Sequence, residues 1–283
     1  MPYPESARHD ACATMASVGD CCIDDYGDGR YIGGNAANVA VGWALAGERS
    51  AYFGAAGDDA AGEAIRTGLA AAGVRTERMV RGTEPTDRTW LRLMGDGDRV
   101  IEAEELRSLR GYRPSAADVE LLAGMRWVHG AALADPEVLA RAMAAHGVPM
   151  SYDFATDVEA ELPAPLAVAF YSFAEAPGPP VTRRLAAAIE RGTSVAVGLC
   201  GAAGSVAVAG DGVVELAAAA DVAVVDTCGA GDSYIAAFTA ARLAGAPLER
   251  CMRSATAAAA RTCAHRGAWR QAPLPLEPIE IPS

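Results

Sequence analysis

The chain has 283 residues, 51% of them hydrophobic and 21% charged, with a formal net charge of -12. That balance belongs to a folded chain able to bury a core, not to a disordered or fibrous one. The acidity argues against general affinity for nucleic acid or an anionic membrane, both of which need a basic face, so any phosphate must be held locally by amides, a helix terminus, a metal ion or a few arginines.

The first twenty residues carry acidic groups and no apolar stretch of signal-peptide length, which predicts a cytoplasmic protein. The pattern then predicts a strand over Ala16–Gly19, a helix over Ala36–Ala46, a strand over Ala51–Gly54 and a helix over Asp59–Ala72. Arg88–Met94 alternates Trp90 and arginines against Leu91 and Leu93. A Gly-Asp-Gly turn and Arg99–Ile101 follow, which reads as a β-hairpin inserted in an α/β chain and a plausible lid.

From about residue 115 short β-like runs alternate with alanine-rich helical ones, the signature of a parallel sheet with crossover helices. The strands expected are Trp127–His129, Pro149–Asp153, Val168–Tyr171, Val195–Leu199 and Val222–Val225, and the helices Pro136–Ala145 and Val181–Arg191. The uncharged stretch Gly192–Gly210 is broken by glycines, which suits strand, turn, strand better than a membrane helix. Two helices, Gly231–Ala244 and Leu248–His265, and a proline-rich tail close the chain. Seven cysteines, Cys12 among them, have neither CxxC pairing nor zinc-ligand spacing and read as thiols in a reducing compartment.

The segment richest in chemistry is Val224-Val225-Asp226-Thr227-Cys228-Gly229-Ala230-Gly231-Asp232-Ser233, read as a buried strand breaking into a glycine-rich turn that opens a helix. Glycines let successive N–H groups converge on one point, and the unpaired amides and dipole of the helix add positive potential there. Asp232 at the mouth of that anion site can be a capping group. It can also accept the proton of an attacking hydroxyl while the amides stabilise a transferring phosphoryl group. Three other segments matter: Gly33-Gly34-Asn35-Ala36-Ala37-Asn38 entering a helix, Asp20-Cys21-Cys22-Ile23-Asp24 after the first strand, and the Cys200–Ser205 turn. An ionised Asp24 could orient two neighbouring hydroxyls, or it could be a solvated loop residue beside Asp20 and Asp25.

These segments resemble, in order, the signatures of PfkB-family (ribokinase-like) carbohydrate kinases, with D-T-x-G-A-G-D at Asp226–Asp232 and G-G-x-x-x-N at Gly33–Asn38. The similarity is greatest to fructoselysine 6-kinase-like members of the family, which share the Gly-Gly-Asn-Ala loop, the aspartate-arginine lid turn and the closing Gly267-Ala268-Trp269. The resemblance implies a three-layer αβα sandwich over residues 1–283, with a mostly parallel sheet and a small β lid formed by about 21–33 and 86–103. It implies an ATP- and Mg2+-dependent kinase acting on a hydroxyl of a sugar or fructosamine, with a monovalent cation known in some relatives and a homodimer formed through the lid in others.

Carried residue by residue, it makes Asp232 the catalytic base and Gly229, Ala230 and Gly231 the anion hole. Asp24, Gly33, Gly34, Asn38 and Arg99 fall on the substrate side, and Gly201, Gly204, Thr227, Cys228 and Gly267 on the nucleotide side. Where the family carries Asn-x-x-Glu this chain has Ser172-Phe173-Ala174-Glu175, a departure that leaves Glu175 as the metal-side carboxylate. Arg99 is either a lid residue reaching the substrate or phosphate, or an ordinary solvated arginine. The other readings are a kinase for another sugar or nucleoside, a non-catalytic sugar-binding regulator, and a Rossmann-type dehydrogenase, which lacks its GxGxxG.

Overall fold

Strands with both faces covered read as near-continuous apolar runs, and the central strands here do so because helices lie on each side of them. The computed structural model describes residues 14–281, apart from 96, 109–111, 163, 211, 217, 219–221 and 278–280. The first thirteen residues, Cys12 with them, and Asp96 of the lid turn therefore lie outside the described residues. The first half contains β1 (Met15–Gly19), β2 (Cys22–Asp25), β3 (Arg30–Gly33), α1 (Asn35–Leu45), β4 (Ser50–Gly57), α2 (Ala60–Ala71), β5 (Val80–Gly82), β6 (Arg88–Leu93) and β7 (Arg99–Glu105). The second half contains α3 (Ala116–Leu122), β8 (Trp127–Ala131), α4 (Pro136–Ala145), β9 (Met150–Asp153), β10 (Val168–Ser172), α5 (Pro179–Glu190), β11 (Val195–Leu199), β12 (Ser205–Ala209), β13 (Gly212–Leu216), α6 (Ala230–Leu243) and α7 (Leu248–Thr262).

Nine strands form one sheet in the order β13-β12-β11-β10-β9-β8-β1-β4-β5, parallel except for the antiparallel pairs that β12 makes with its two neighbours. Alternation along β10 shows how the layers form. Val168 and Phe170 pack with Trp43 of α1, Phe238 of α6 and Met252 of α7, whereas Ala169 and Tyr171 pack with Leu139 of α4 and Leu185 of α5. The result is the ribokinase-like α/β arrangement, with the C-terminal ends of the parallel strands along one edge. A second, four-stranded sheet in the order β3-β2-β6-β7 stands beside that edge.

Two expectations fail here. Val222–Val225 is not a strand, and Val224 and Val225 are exposed. The Val225 and Asp226 amides donate instead to the Cys263 carbonyl, at 2.8 and 3.3 Å. The segment has left the sheet, which ends at β13, and hangs on the end of α7. α7 in turn stops at Thr262 rather than running to His265, because the Ala264 and His265 amides bond three residues back, to the Arg261 and Thr262 carbonyls. The six described cysteines stand as thiols, and among the described residues no helix is long and apolar enough to cross a membrane.

The turn from β3 into α1 is a tight constraint on the site. Gly34 has φ 99°, and a Cβ there would lie 2.4 Å from the Cys21 Cα. Gly34→Ala therefore combines a left-handed backbone with a backbone clash, and should lower stability by about 2 kcal/mol or more. Urea unfolding checks this: a midpoint equal to the parent's would mean the turn has slack.

Candidate active site

The glycine turn and two helix starts build the site. Gly229, the N-cap of α6, has φ 72°, and a Cβ on it would lie 2.3 Å from the Ala268 Cβ, so only glycine lets the closing segment lie against the turn. Thr227 and Gly229 carbonyls take the Ala230 and Ser233 amides at 3.2 and 2.9 Å. Among the described residues the Gly231 and Asp232 amides have no protein acceptor, as first-turn donors do not. With the helix dipole behind them they form a positive pole for an anion.

Asp232 is buried beside that pole, and its Oδ2 accepts from Asn38 Nδ2 at 2.7 Å. The bond joins the first turn of α1 to the first turn of α6. Burial pushes the Asp232 carboxyl up to about 8; the Asn38 amide pulls it down, Asp153 and Asp20 push it up, and Arg99 pulls it down. Asp20 does not reach a substrate. Its two oxygens accept from the Asn35 and Ala36 amides at 2.8 and 2.9 Å, capping α1.

Asp24 is the carboxylate of this segment that enters the site. It is buried, lies on Gly33 so closely that a Cβ there would be 2.1 Å from Oδ2, and accepts from the Cys22 and Cys228 thiols at 3.3 and 3.4 Å. Burial raises it to about 6 against the two thiols and Arg99. Asp25, one residue on, points the other way and pairs with Arg30 and Arg88 at 3.1 and 2.7 Å. Arg99 leans under the small sheet, donates to the Thr227 carbonyl at 3.4 Å, and lies within electrostatic reach of Asp24 and Asp232. It is not an ordinary solvated arginine.

The structure thus brings together Asp232, Gly229, Ala230, Gly231, Asn38, Asp24, Gly33, Gly34 and Arg99. Thr227 and Cys228 face the small sheet: the Thr227 hydroxyl donates to Asp98 at 2.9 Å and the Cys228 thiol to Asp24. Gly201 and Gly204 shape a 3-10 turn between β11 and β12. This turn flanks the start of α6, where Ser205 Oγ meets the Tyr234 hydroxyl at 3.0 Å and a Cβ on Gly231 would lie 3.7 Å from Leu199. Gly267 donates its amide to Asp226 at 2.8 Å. Glu175 is exposed on the loop after β10, and among the described residues no group of three or more acidic, cysteine or histidine side chains could hold a metal.

Three residues escaped the sequence reading. Asp226, fully buried, accepts from the Tyr26 hydroxyl at 2.6 Å, the Cys228 amide at 2.9 Å and the Gly267 amide at 2.8 Å, tying small sheet, glycine turn and closing segment together. Tyr26 is its partner in the small sheet. Asp153 is buried at the C-terminal end of β9, raised to about 6 by burial. Its position at the carboxyl end of a predicted parallel strand was a usable signal, because ligands of open α/β sheets gather there.

A paired carboxylate and amide beside free helix amides, with a second buried carboxylate at Asp24, on this fold, fits a small-molecule phosphotransferase of the ribokinase-like class. Residues 28–274 match the model for the pfkB family carbohydrate kinases, and the chain belongs to that family. It is 32% identical to fructoselysine 6-kinase of Escherichia coli (strain K12) over 90% of this chain and 99% of that one. It is 28% identical to fructosamine kinase FrlD of Bacillus subtilis (strain 168) over 90% and 92%. Among solved structures, adenosine kinase from Sinorhizobium meliloti superposes with a TM-score of 0.79 at 23% identity, covering 93% of this chain and 97% of the other. Arabidopsis thaliana ribokinase complexed with ribose and ATP gives 0.79 at 22%, covering 91% and 95%. The chain is an ATP-dependent sugar kinase.

The raised carboxyls have a thermodynamic consequence of fixed sign. Between about pH 4, where an unfolded aspartate loses its proton, and about 8, where Asp232 loses it, the folded chain binds the extra proton, so stability falls as pH rises. Asp232→Asn removes that titration. Its melting temperature should exceed the parent's most at about pH 8 and converge with it towards about pH 4; a difference independent of pH would contradict the buried, raised carboxyl.

Proposed function

We propose that this chain transfers phosphate from ATP to the 6-hydroxyl of a fructosamine such as fructoselysine. The observation that carries the reading is the Asn38–Asp232 bond at the mouth of the α6 amides, which puts a base and an anion hole at one point. The two kinases of 32% and 28% identity supply the acceptor class.

In this mechanism Asp24 accepts from hydroxyls of the sugar and leaves the reacting hydroxyl towards Asp232. Ionised Asp232, oriented by Asn38, takes the proton of that hydroxyl as its oxygen attacks the γ-phosphorus in line, and the bond from that phosphorus to the bridging oxygen breaks with ADP leaving. The Gly231 and Asp232 amides and Arg99 meet the negative charge on the phosphoryl oxygens. The small sheet, docked on Asp226 and Thr227, serves as a lid that excludes water. ATP supplies the phosphoryl group, and magnesium offsets charge on its phosphates.

Glu175 is the exposed carboxylate near the nucleotide side, and a donor set that sparse fits a magnesium held chiefly by phosphates and water. A cytoplasmic location accords with the six thiols. Pairing of two copies along β7, an edge strand with Val100 and Ile101 exposed, belongs to the same proposal.

An ATP-consumption screen across fructosamines, other sugars and nucleosides tests the reading. Fructosamines should be turned over best, and Asp232→Asn should lower turnover by about 10² or more while substrate binding persists. Near-parental turnover by that variant would remove Asp232 from the role of base, and consumption only with nucleosides would remove the acceptor class.

A further inference from the structure

Both oxygens of the Asp24 carboxylate are met by sulfur. Cys22, two residues back on β2, donates to Oδ1 at 3.3 Å; Cys228, from the glycine turn, donates to Oδ2 at 3.4 Å. Cys22 is itself held from β6, where the Thr89 hydroxyl lies 3.7 Å from its sulfur. All three residues are buried, and the carboxylate is pressed onto Gly33 from the next strand. Nothing in the phosphoryl transfer above uses either thiol as an acid, base or nucleophile.

A carboxylate offers about four lone-pair positions, so two thiols leave two for hydroxyls. Thiols are weak donors. They can fix the orientation of a carboxylate while withdrawing little of its accepting power. We infer that Cys22 and Cys228 are positioning residues that hold the Asp24 carboxylate over Gly33, with its free lone pairs towards the hydroxyls of the acceptor. This rests on the reading of Asp24 as the sugar-binding carboxylate.

The groups around Asp24 fix the sign of the test. Burial raises its carboxyl, the Cys22 and Cys228 thiols lower it, Arg99 from β7 lowers it and Asp226 raises it; the Tyr26 phenol stands nearby without charge. Removing a thiol while Arg99 and Asp226 stay therefore raises the Asp24 carboxyl further, and a serine restores a donor.

The Asp24 carboxyl titration, followed by carbon NMR on the full chain and assigned by its loss in Asp24→Asn, should move up by about half a pH unit in Cys22→Ala. Cys22→Ser should bring it back to the parental value or below. Cys228→Ala, which removes the donor on the other oxygen, should move it the same way as Cys22→Ala. An Asp24 titration unmoved by either alanine, or moved equally by alanine and serine at Cys22, overturns the inference. Calorimetry with fructoselysine on the Asp232→Asn background, free of the Asp232 titration, should show about threefold weaker binding for Cys22→Ala near pH 6, relieved by serine. If fructoselysine fails to bind the parent of that series while the NMR shifts occur, the acceptor class is wrong and the thiol contacts stand. If it binds and Cys22→Ala leaves affinity unchanged at every pH, the positioning role is wrong.

Discussion

One hydrogen bond, from Asn38 Nδ2 to Asp232 Oδ2 at 2.7 Å, joins two helix starts separated by 194 residues of chain. Each partner is useless alone. Asn38 is placed by a turn that only Gly34 can make and by the Asp20 carboxylate capping α1. Asp232 is placed by a turn that only Gly229 can make against Ala268. The packing of α1 on α6, with Trp43 Nε1 donating to the Ala236 carbonyl at 3.1 Å and Thr239 Oγ1 at 2.9 Å, holds the two starts in register. The core behind the site therefore serves to keep one carboxylate within reach of one row of amides.

The second constraint is the seam between the two sheets. Asp226 binds the small sheet through Tyr26, its own turn through the Cys228 amide and the closing segment through Gly267. Thr227 adds bonds to Gly97 and Asp98 at 3.1 and 2.9 Å. A carboxylate that is fully buried is tolerated only when its acceptors are filled, and here the donors come from three separate stretches of chain. The same loop that opens α6, with its free Gly231 and Asp232 amides, thus also carries the dock for the sheet bearing Asp24 and Arg99. The proposed sugar side and phosphate side are built on one piece of backbone.

The parallel strands and helices were legible because their signals are local: Val195–Leu199 and Pro136–Ala145 were read to the residue, and the alternation in β10 follows from two covered faces. The glycine turn, Asp232 and Asn38 were legible through motif order. What the sequence hid depends on distance. Val222–Val225 has the composition of a strand, but it adds to neither edge of the large sheet, and the Val225 amide turns to Cys263 instead. β2 and β3 are four residues each and mix aspartate, arginine and glycine, so they show no period; pairing with each other, and of β2 with β6, makes them strands. Likewise Asp20 and Asp24 look alike as residues; the family resemblance favours Asp24, and the fold makes Asp20 a helix cap and buries Asp24 against Gly33.

The charge balance of the site answers the question that the acidic composition posed at the outset. A chain of net charge -12 must admit a polyphosphate beside buried carboxyls: Asp24 and Asp232, with Asp20 and Asp153 within electrostatic reach of the latter. Burial raises the carboxyl of each of these four. With Asp232 near 8, the empty site at neutral pH presents it mainly as the neutral acid, which does not repel an incoming anion. Cations that arrive with the nucleotide, together with Arg99, lower its pKa and favour the ionised form. In the proposed mechanism the group that acts as base is ionised by the same charges it works beside, and the burial that raises its pKa is what makes it responsive to them.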